Sequence, residues 1–233
     1  MDLWAAFLNK TGKQVDKWSH YFPIYDEILS RFRGLRLNLL EIGVAGGGSL
    51  ELWSSYLGQR ATVVGIDSLQ DSRTSNINFK NPNIHFEVGD QADRVFLSGL
   101  IQKFGEFDIV IDDGSHLPSD VIASFEAIYP HVSKNGIYIV EDVHASYFKT
   151  HQGGLKKPGT FIEFLKGKID ELHSSYIGNA SLTRFTTETE SISIHDSMVI
   201  FKKGGSRWKS TVNSHDPFFT ADSNGLVRYT VGK

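Results

Sequence analysis

The stretch from Leu39 to Leu50 reads Leu-Leu-Glu-Ile-Gly-Val-Ala-Gly-Gly-Gly-Ser-Leu. It links an apolar run, Leu37 to Ile42, through a glycine cluster to an amphipathic stretch, Ser49 to Leu57. This order is typical of a strand, a tight turn and the start of a helix. Glycines let the backbone approach a ligand closely, and a helix N-terminus adds free N–H donors. Glycine loops are often only turns, but this position between a buried strand and a helix favours a loop that binds a nucleotide-like cofactor.

Short apolar runs and amphipathic helical segments alternate along the chain after this stretch. The further apolar runs are Ala61 to Asp67, Ile84 to Val88, Phe107 to Ile111 and Gly136 to Val140. Continuous apolar strands separated by helices indicate a parallel sheet that is covered on both faces. Each run ends in polar residues, and open α/β sheets bind ligands at the carboxyl ends of their strands. We therefore predict an α/β, doubly wound, mostly parallel sheet with its site at these strand ends.

The flanking regions predict three further parts. Residues 1–36 contain two short amphipathic helices and are predicted to form a helical cap that contributes to the cofactor and substrate site. Residues 37–203 are predicted to form the main domain, with an irregular lid at about 143–160 that is rich in Gly, Lys and His. Residues 204–233 show no clear period and are predicted to be a C-terminal extension.

The end of the main domain predicts a helix and then an antiparallel hairpin. Thr160 and Glu163 form a predicted capping box for the helix. Leu182 to Thr187 and Ser191 to Lys202 are rich in β-branched and aromatic residues, which favours strands. The hairpin turn is predicted at His195-Asp196-Ser197.

The composition excludes several classes of protein. The formal net charge is -3 over 233 residues, so there is no basic excess of the kind that nucleic acid binding requires. The chain has no cysteine, so any metal must be held by oxygen or histidine ligands. We expect no signal peptide and no membrane span, because no apolar run is long enough. A cytoplasmic protein that acts on a small molecule is the resulting expectation.

The glycine spacing discriminates between cofactors. A dinucleotide fingerprint needs Gly-x-Gly-x-x-Gly, which the residues after Gly43 do not supply, and the Gly-Lys-Ser/Thr of a phosphate loop is absent. The pattern present is Glu41-x-Gly43-x-Ala45-x-Gly47. It resembles motif I of class I S-adenosylmethionine-dependent methyltransferases, with Ala45 in place of the middle glycine. In that family the next strand-end acid, here Asp67, binds the ribose hydroxyls, and a carboxylate can accept from both.

Carboxylates follow two strands that are predicted to be neighbours. Asp112 and Asp113 end one strand, and Glu141 and Asp142 end the next. Clustered like charges repel unless a cation neutralises them, and Mg²⁺ is the hard cation that carboxylates and water favour. We predict Asp113, Glu141 and Asp142 as its ligands and keep Asp112 in reserve, because neighbouring strand residues point in opposite directions. The alternative is that these acids cap helices or pair with lysines.

A histidine accompanies this acidic cluster. His116 follows Asp113 by three residues at a predicted turn. An imidazole can accept a proton near neutral pH, so we predict His116 as the general base beside the metal. His144 is the second candidate. A histidine before a helix is often only structural, and the acidic cluster is what favours catalysis here.

Several motifs together resemble the macrocin/mycinamicin-type sugar O-methyltransferases, from about Thr11 to Lys203. The motifs are Thr11-Gly12-Lys13, Asp16-Lys17, His20-Tyr21, Leu40-Glu-Ile-Gly-Val44, Gly89-Asp-Gln-Ala-Asp93, Ile111-Asp-Asp-Gly-Ser-His116 and Glu141-Asp-Val-His-Ala-Ser-Tyr147. The resemblance implies a seven-stranded Rossmann-like sheet with a C-terminal antiparallel hairpin. It implies S-adenosylmethionine and Mg²⁺ as cofactors and a deoxysugar hydroxyl of an antibiotic or other secondary-metabolite glycoside as acceptor. The resemblance also implies a homo-oligomer, whereas the expectation of no nucleic acid and no membrane partner comes from the composition and the short apolar runs.

The resemblance also assigns roles to residues. It implies that Asp113, Glu141 and Asp142 hold the metal and that His116, with Asp113, acts in catalysis. The cofactor-binding residues that it implies are Thr11, Tyr21, Glu41, Gly43, Gly47, Ser49, Asp67, Asp90, Gln91 and Asp112.

Three alternatives remain open at the level of sequence. A catechol-type or other small-molecule O-methyltransferase would use a similar carboxylate-bound Mg²⁺. A non-catalytic module could retain the cofactor fold, although it would have no reason to keep costly charges together. An NAD-dependent oxidoreductase is disfavoured by the glycine spacing.

Overall fold

The apolar runs form strands and the amphipathic stretches form helices. The computed structural model describes residues 2–68, 77–177 and 182–204, and two short strands beyond them. The strands are β1 Leu37–Ile42, β2 Ala61–Asp67, β3 Ile84–Val88, β4 Phe107–Asp112, β5 Val132–Val140, β6 Thr189–His195, β7 Met198–Lys203, β8 Phe219–Ala221 and β9 Val227–Tyr229. The α-helices are α1 Leu3–Leu8, α2 Tyr21–Leu29, α3 Gly48–Leu57, α4 Arg94–Phe104, α5 Pro118–Ile128, α6 Phe161–Leu172 and α7 Arg184–Glu188. Short 3-10 helices are Ser30–Phe32, Tyr129–His131, Val143–Tyr147, Lys149–His151 and Ser174–Tyr176.

Seven strands form one sheet in the order β3-β2-β1-β4-β5-β7-β6. The first five pair in parallel, and β7 runs antiparallel to both β5 and β6. The predicted doubly wound, mostly parallel sheet with a C-terminal antiparallel hairpin is therefore confirmed. The strand order reverses between β1 and β4, and the crevice at the carboxyl ends of these two strands is where such sheets bind ligands.

Helices cover both faces of the sheet because its strands are apolar on both sides. On one face α1, α2 and α3 pack around Tyr25 and Trp53. On the other face α4, α5 and α6 pack around Phe125, and Phe161 and Leu165 of α6 join this core. Thr160 caps α6 through its side chain, which accepts a hydrogen bond from the Glu163 N–H.

The segment between α1 and α2 lies against the start of α3. A Cβ on Gly48 would lie 1.9 Å from the carbonyl oxygen of Gln14, so only glycine permits this approach. Lys10 reinforces it with an ion pair in which its Nζ lies 2.8 Å from Oε2 of Glu51. The segment is thereby held at the carboxyl end of the sheet, where a residue of it can reach the strand ends.

The hairpin is confirmed, but its preceding segment is helical. His195 pairs with Met198 across the turn between β6 and β7. The β-branched composition of Leu182 to Thr187 does not produce a strand, and that interpretation is wrong for α7. Thr183 caps α7 by accepting from the Thr186 N–H, and the Thr186 hydroxyl accepts in turn from the Thr183 N–H. This local capping box outweighs the weak β preference of the segment.

The remaining boundaries stay predictions. The predicted lid at about 143–160 contains two of the short 3-10 helices. The predicted extension, 204–233, lies outside the described residues except for Gly204 and the strands β8 and β9. In the described part of the chain, no helix combines the length and the apolar character that crossing a membrane requires.

Candidate active site

Asp67, at the end of β2, shapes the glycine loop between β1 and α3. Its Oδ2 accepts hydrogen bonds from the backbone N–H groups of Val44 and Ala45, each at 2.9 Å. Gly43 has a φ of +80°, and a Cβ there would lie 2.1 Å from the carbonyl oxygen of Asp113. Only glycine therefore lets the loop reach the end of β4.

Ala45 adopts a conformation that normally favours glycine. Its φ is +46°, within the left-handed region, where a residue with a Cβ carries a cost of about 1–2 kcal/mol. The hydrogen bond from its N–H to Asp67 and that from Gly47 N–H to the Val44 carbonyl, at 2.7 Å, hold the turn in place. The departure from the family pattern thus preserves the shape of the loop at a local energetic cost.

A cavity of about 550 Å³ lies beside this loop, at the carboxyl ends of β1, β2 and β4. Its volume is in the usual range for cofactor pockets. It is lined by Ile42, Gly43, Ala45, Ile66, Asp67, Ser68, Gly89, Asp90, Gln91, Asp113, Gly114, Ser115, His116, Leu117 and Asp120. The structure therefore brings the predicted cofactor residues Gly43, Asp67, Asp90 and Gln91 together with Asp113 and His116 around one cavity.

Gln91 and Asp112 form a buried network behind the cavity. Oε1 of Gln91 accepts from the Ser115 N–H at 2.7 Å, and its Nε2 donates to Oδ1 of Asp112 at 3.3 Å. Oδ2 of Asp112 accepts from the hydroxyls of Ser124 at 2.5 Å and Tyr138 at 2.8 Å. Burial raises the pKa of Asp112 to about 6. Asp112 does not line the cavity, so the structure gives it a supporting position instead of the predicted contact with cofactor.

Glu41 and Ser49 form a second buried pair, below the loop. The Ser49 hydroxyl donates to Oε2 of Glu41 at 2.6 Å. Glu41 is fully buried, and its Oε1 has no hydrogen-bond partner among the described residues. Burial raises the pKa of Glu41. Ser49 and Gly48 line a smaller cavity of about 160 Å³ on the side of the N-terminal segment.

The two predicted cofactor residues of the N-terminal region occupy different positions. Tyr21 is buried, and its hydroxyl donates to Oδ1 of Asp142 at 2.6 Å. Burial is the first cause of its raised pKa, and the bond to Asp142 adds to it. Thr11 is exposed and lines neither of the two cavities. Tyr21 therefore orients an acid of the site, and the structure does not bring Thr11 to it.

Lys17 enters the acidic cluster from the N-terminal segment. Its Nζ lies 2.8 Å from Oδ2 of Asp113, 2.6 Å from Oε1 of Glu141 and 3.6 Å from Oε1 of Glu41. Burial alone would lower the pKa of this lysine, but the three carboxylates raise it well above its usual range. Oε1 of Glu141 also accepts from the Tyr25 hydroxyl. Burial first, and Asp113 second, raise the pKa of Glu141 to about 8.

Three side chains converge on the outer side of the same cluster. One ligand atom from each of Asp113, His116 and Asp142 lies within 4.8 Å of the others. His116 Nε2 is 3.9 Å from Oδ1 of Asp113 and 3.8 Å from Oδ2 of Asp142. Glu141, a predicted ligand, is not in this group, and its Oε1 accepts hydrogen bonds from Lys17 and Tyr25.

The backbone holds two members of this group in the left-handed region. His116 has a φ of +56° and Asp142 a φ of +52°. Strained conformations of non-glycine residues persist where the surroundings fix them, and they concentrate at functional sites. His144 lies next to them: its Nδ1 bonds the Ser197 hydroxyl and is 4.0 Å from Oδ1 of Asp142.

The residues present fit the two groups that the sequence predicts. Two partly exposed carboxylates that face one point suit a hard divalent cation that keeps several waters. A cavity with a glycine loop at one wall and Asp67 and Asp90 at another suits an adenosyl group, whose hydroxyls need acceptors. Glu41 adds a buried carboxyl group beneath the loop, and its Oε1 lies 3.6 Å from the Lys17 ammonium.

Sequence reasoning missed Lys17 and Tyr25 as parts of the site. Both come from the N-terminal region and meet residues more than 90 positions away, so no local spacing reveals the contacts. The alternative that acids pair with lysines did anticipate the type of contact that Lys17 makes. The sequence signal for Lys17 was its place in Asp16-Lys17, one of the motifs that resemble the sugar O-methyltransferases.

Comparison with known proteins indicates a methyltransferase domain. Residues 40–143 match the family described as a methyltransferase domain. The 8-demethyl-8-alpha-L-rhamnosyl tetracenomycin-C 2'-O-methyltransferase of Streptomyces olivaceus is 37% identical over 168 residues, which are 68% of this chain and 43% of that protein. Mycinamicin VI 2''-O-methyltransferase of Micromonospora griseorubida is 36% identical over 165 residues, 66% of this chain and 40% of that protein. The chain spans less than half the length of these relatives.

A solved structure extends the similarity to three dimensions. The MycE methyltransferase from the mycinamycin biosynthetic pathway, in complex with Mg, SAH and mycinamycin VI, matches with a TM-score of 0.71 and 29% identity. The match covers 85% of this chain and 53% of that one.

The sheet order and the glycine loop are those of the Rossmann-like fold of class I methyltransferases, and residues 40–143 match the methyltransferase-domain family. Within the family it resembles the macrocin/mycinamicin-type sugar O-methyltransferases, as its motifs predicted.

Proposed function

We propose that this protein transfers a methyl group from S-adenosylmethionine to a sugar hydroxyl of a glycosylated natural product, with Mg²⁺ at the strand ends. The observation that carries the proposal is the convergence of Asp113, His116 and Asp142 beside the 550 Å³ cavity. The relatives support it, because their names describe O-methylation of glycosides of this kind. We keep the predictions of a cytoplasmic homo-oligomer without nucleic acid or membrane partners.

The residues divide the chemistry between them. When bound, S-adenosylmethionine would supply an electrophilic methyl group and Mg²⁺ would lower the pKa of a coordinated hydroxyl. Asp113 and Asp142 would hold the cation, and Glu141 would join them only once Lys17 releases it. His116 Nε2, 3.8 Å from Asp142, would take the proton of the acceptor hydroxyl. Asp67 and the loop that it orders would orient the methyl donor, since alignment of reacting atoms lowers the barrier strongly.

An aromatic rim, formed by Trp18, His144, Phe148 and His151, borders the outer side of this group. The centroid of the His144 ring lies 6.1 Å from that of Trp18 and 5.2 Å from that of Phe148. The His151 ring lies 6.2 Å from that of His116. Trp18 is 55% exposed and Phe148 is 48% exposed. Exposed aromatic rings beside a polar centre suit the apolar C–H face of a deoxysugar whose hydroxyls point to the metal.

Replacing Trp18 by alanine tests this assignment of the rim. We expect KM for the glycoside to rise about 5- to 10-fold, because a ring contact of this kind contributes roughly 1 kcal/mol beyond its buried area. The kcat and the affinity for S-adenosylhomocysteine are expected to stay within about twofold. Steady-state kinetics and calorimetry measure these values. Trp4, which is 43% exposed and stacks on Phe7, supplies the matched control W4A. Equal KM values in the two variants would remove Trp18 from the acceptor site.

The activity itself is tested with methyl-labelled S-adenosylmethionine and a panel of acceptors. The panel contains deoxysugar glycosides, among them rhamnosides with and without a polyketide aglycone, and simple catechols. We expect label in the glycosides only, and only when Mg²⁺ is present. Transfer to catechols but not to glycosides would favour the catechol-type alternative, and transfer to neither would contradict the proposal.

A further inference from the structure

Lys17 is the one cation that the described residues place inside the acidic cluster. Its side chain is 3% exposed, and its ammonium contacts acids from the ends of β1, β4 and β5. The Trp53 ring, with its centroid 5.9 Å from Nζ, closes another side of the site. Such a position is costly for an ammonium unless carboxylates neutralise it. Lys17 and these carboxylates therefore stabilise each other.

Two of the contacts involve residues that are predicted to hold the metal. Oδ2 of Asp113 bonds Lys17 at 2.8 Å, while its Oδ1 faces His116 and Asp142. Glu141 is bound by Lys17 at 2.6 Å. The Lys17 ammonium thus contacts Asp113 and Glu141 from the inner side of the cluster. A divalent cation would contact the same carboxylates from the outer side.

We propose that Lys17 is a tethered counter-ion that competes with the divalent cation for Asp113 and Glu141 and so limits the affinity of the metal. This inference rests on the proposed function in one respect, the presence of a divalent cation. Two cations that share a carboxylate repel each other, so removing one must strengthen the binding of the other. Because Lys17 belongs to the N-terminal segment, binding of the metal is coupled to the position of that segment.

The test compares the wild-type protein with K17M. Binding of Mn²⁺ is measured by electron paramagnetic resonance and of Mg²⁺ by calorimetry, without substrate or methyl donor. We expect K17M to bind either ion at least about tenfold more tightly. We also expect metal-free K17M to melt at a lower temperature than the wild type and to recover that loss when Mg²⁺ is added. K17R, which keeps the charge, is expected to behave as the wild type.

Lys13 supplies a matched control in the same segment. Its ammonium lies 5.8 Å from the centroid of the Phe79 ring, and no contact of it with the three acids is seen. K13M is expected to bind both ions as the wild type does. Should K17M fail to fold, the same comparison is made between E141Q and K17M/E141Q. E141Q removes one buried carboxylate, and K17M then removes the ammonium that this carboxylate contacts. The lysine is again expected to weaken metal binding.

Unchanged or weaker metal binding in K17M, relative to K13M, would overturn the inference. That result leaves methyl transfer by the wild type untouched, so it is distinct from a failure of the proposed function. Conversely, an inactive wild type whose K17M variant binds Mn²⁺ more tightly would support the inference and contradict the proposed function.

Discussion

Alanine in place of His116 is expected to lower kcat by about 10²- to 10⁴-fold, the usual contribution of a general base. A neutral alcohol is a poor nucleophile, and His116 Nε2 is the imidazole nitrogen that the structure places 3.8 Å from Asp142 Oδ2. The affinity for S-adenosylhomocysteine is expected to change less than about twofold, because Asp67 and the glycine loop remain. Single-turnover kinetics and calorimetry separate the two quantities.

His144 provides the comparison for this experiment. Its Nδ1 is engaged by the Ser197 hydroxyl, and the ring lies against Trp18 and Phe148. H144A is therefore expected to change KM more than kcat. If H144A lost more of its kcat than H116A, the role of base would pass to His144.

The position of the site follows from the sequence because it depends on strand ends. Apolar runs fix where β1, β2 and β4 end, and a parallel sheet brings those ends to one edge. Alternation along β4 also explains why two adjacent acids differ: Asp112 turns to Ser124 and Tyr138, while Asp113 turns to Lys17 and His116. The period-two alternation of a strand predicts that the two acids point in opposite directions, but it does not predict which of them faces the cavity.

Contacts between distant parts of the chain do not follow from such patterns. Lys17 reaches Glu141 across 124 positions, and Gly48 accommodates the carbonyl of Gln14. Both depend on how the N-terminal segment packs over the finished sheet. A prediction from strand ends alone therefore counts Glu141 among the metal ligands and does not include the contact of Glu141 with Lys17. The helix α7 was missed for a different reason. Its cap by Thr183 is a local signal, but a count of β-branched residues in the segment favours a strand and does not include the cap.

Asparagine in place of Asp142 is expected to weaken Mg²⁺ binding at least about tenfold and to lower kcat by about 10²-fold or more at limiting metal. The variant removes one negative charge but keeps the shape of the side chain. Its amide oxygen can still accept from the Tyr21 hydroxyl, which lies 2.6 Å from Oδ1 of Asp142, so the fold is expected to survive. Calorimetric titration with Mg²⁺ and methyl-transfer rates at rising Mg²⁺ concentration measure both effects.

Removal of the metal from the wild type should reproduce the loss of activity in that variant. Exhaustive chelation is expected to abolish methyl transfer and to leave binding of S-adenosylhomocysteine intact, because Asp67, Asp90 and the glycine loop line the cavity and Asp142 does not. Added Mg²⁺ should restore the wild type fully and D142N only at high concentration. Asp196, exposed in the β6–β7 turn, supplies the control D196N, which should titrate as the wild type does. Methyl transfer that survives chelation would contradict a metal-dependent reaction. A D142N variant with the metal affinity of D196N would show that Asp142 orders the site without holding a cation.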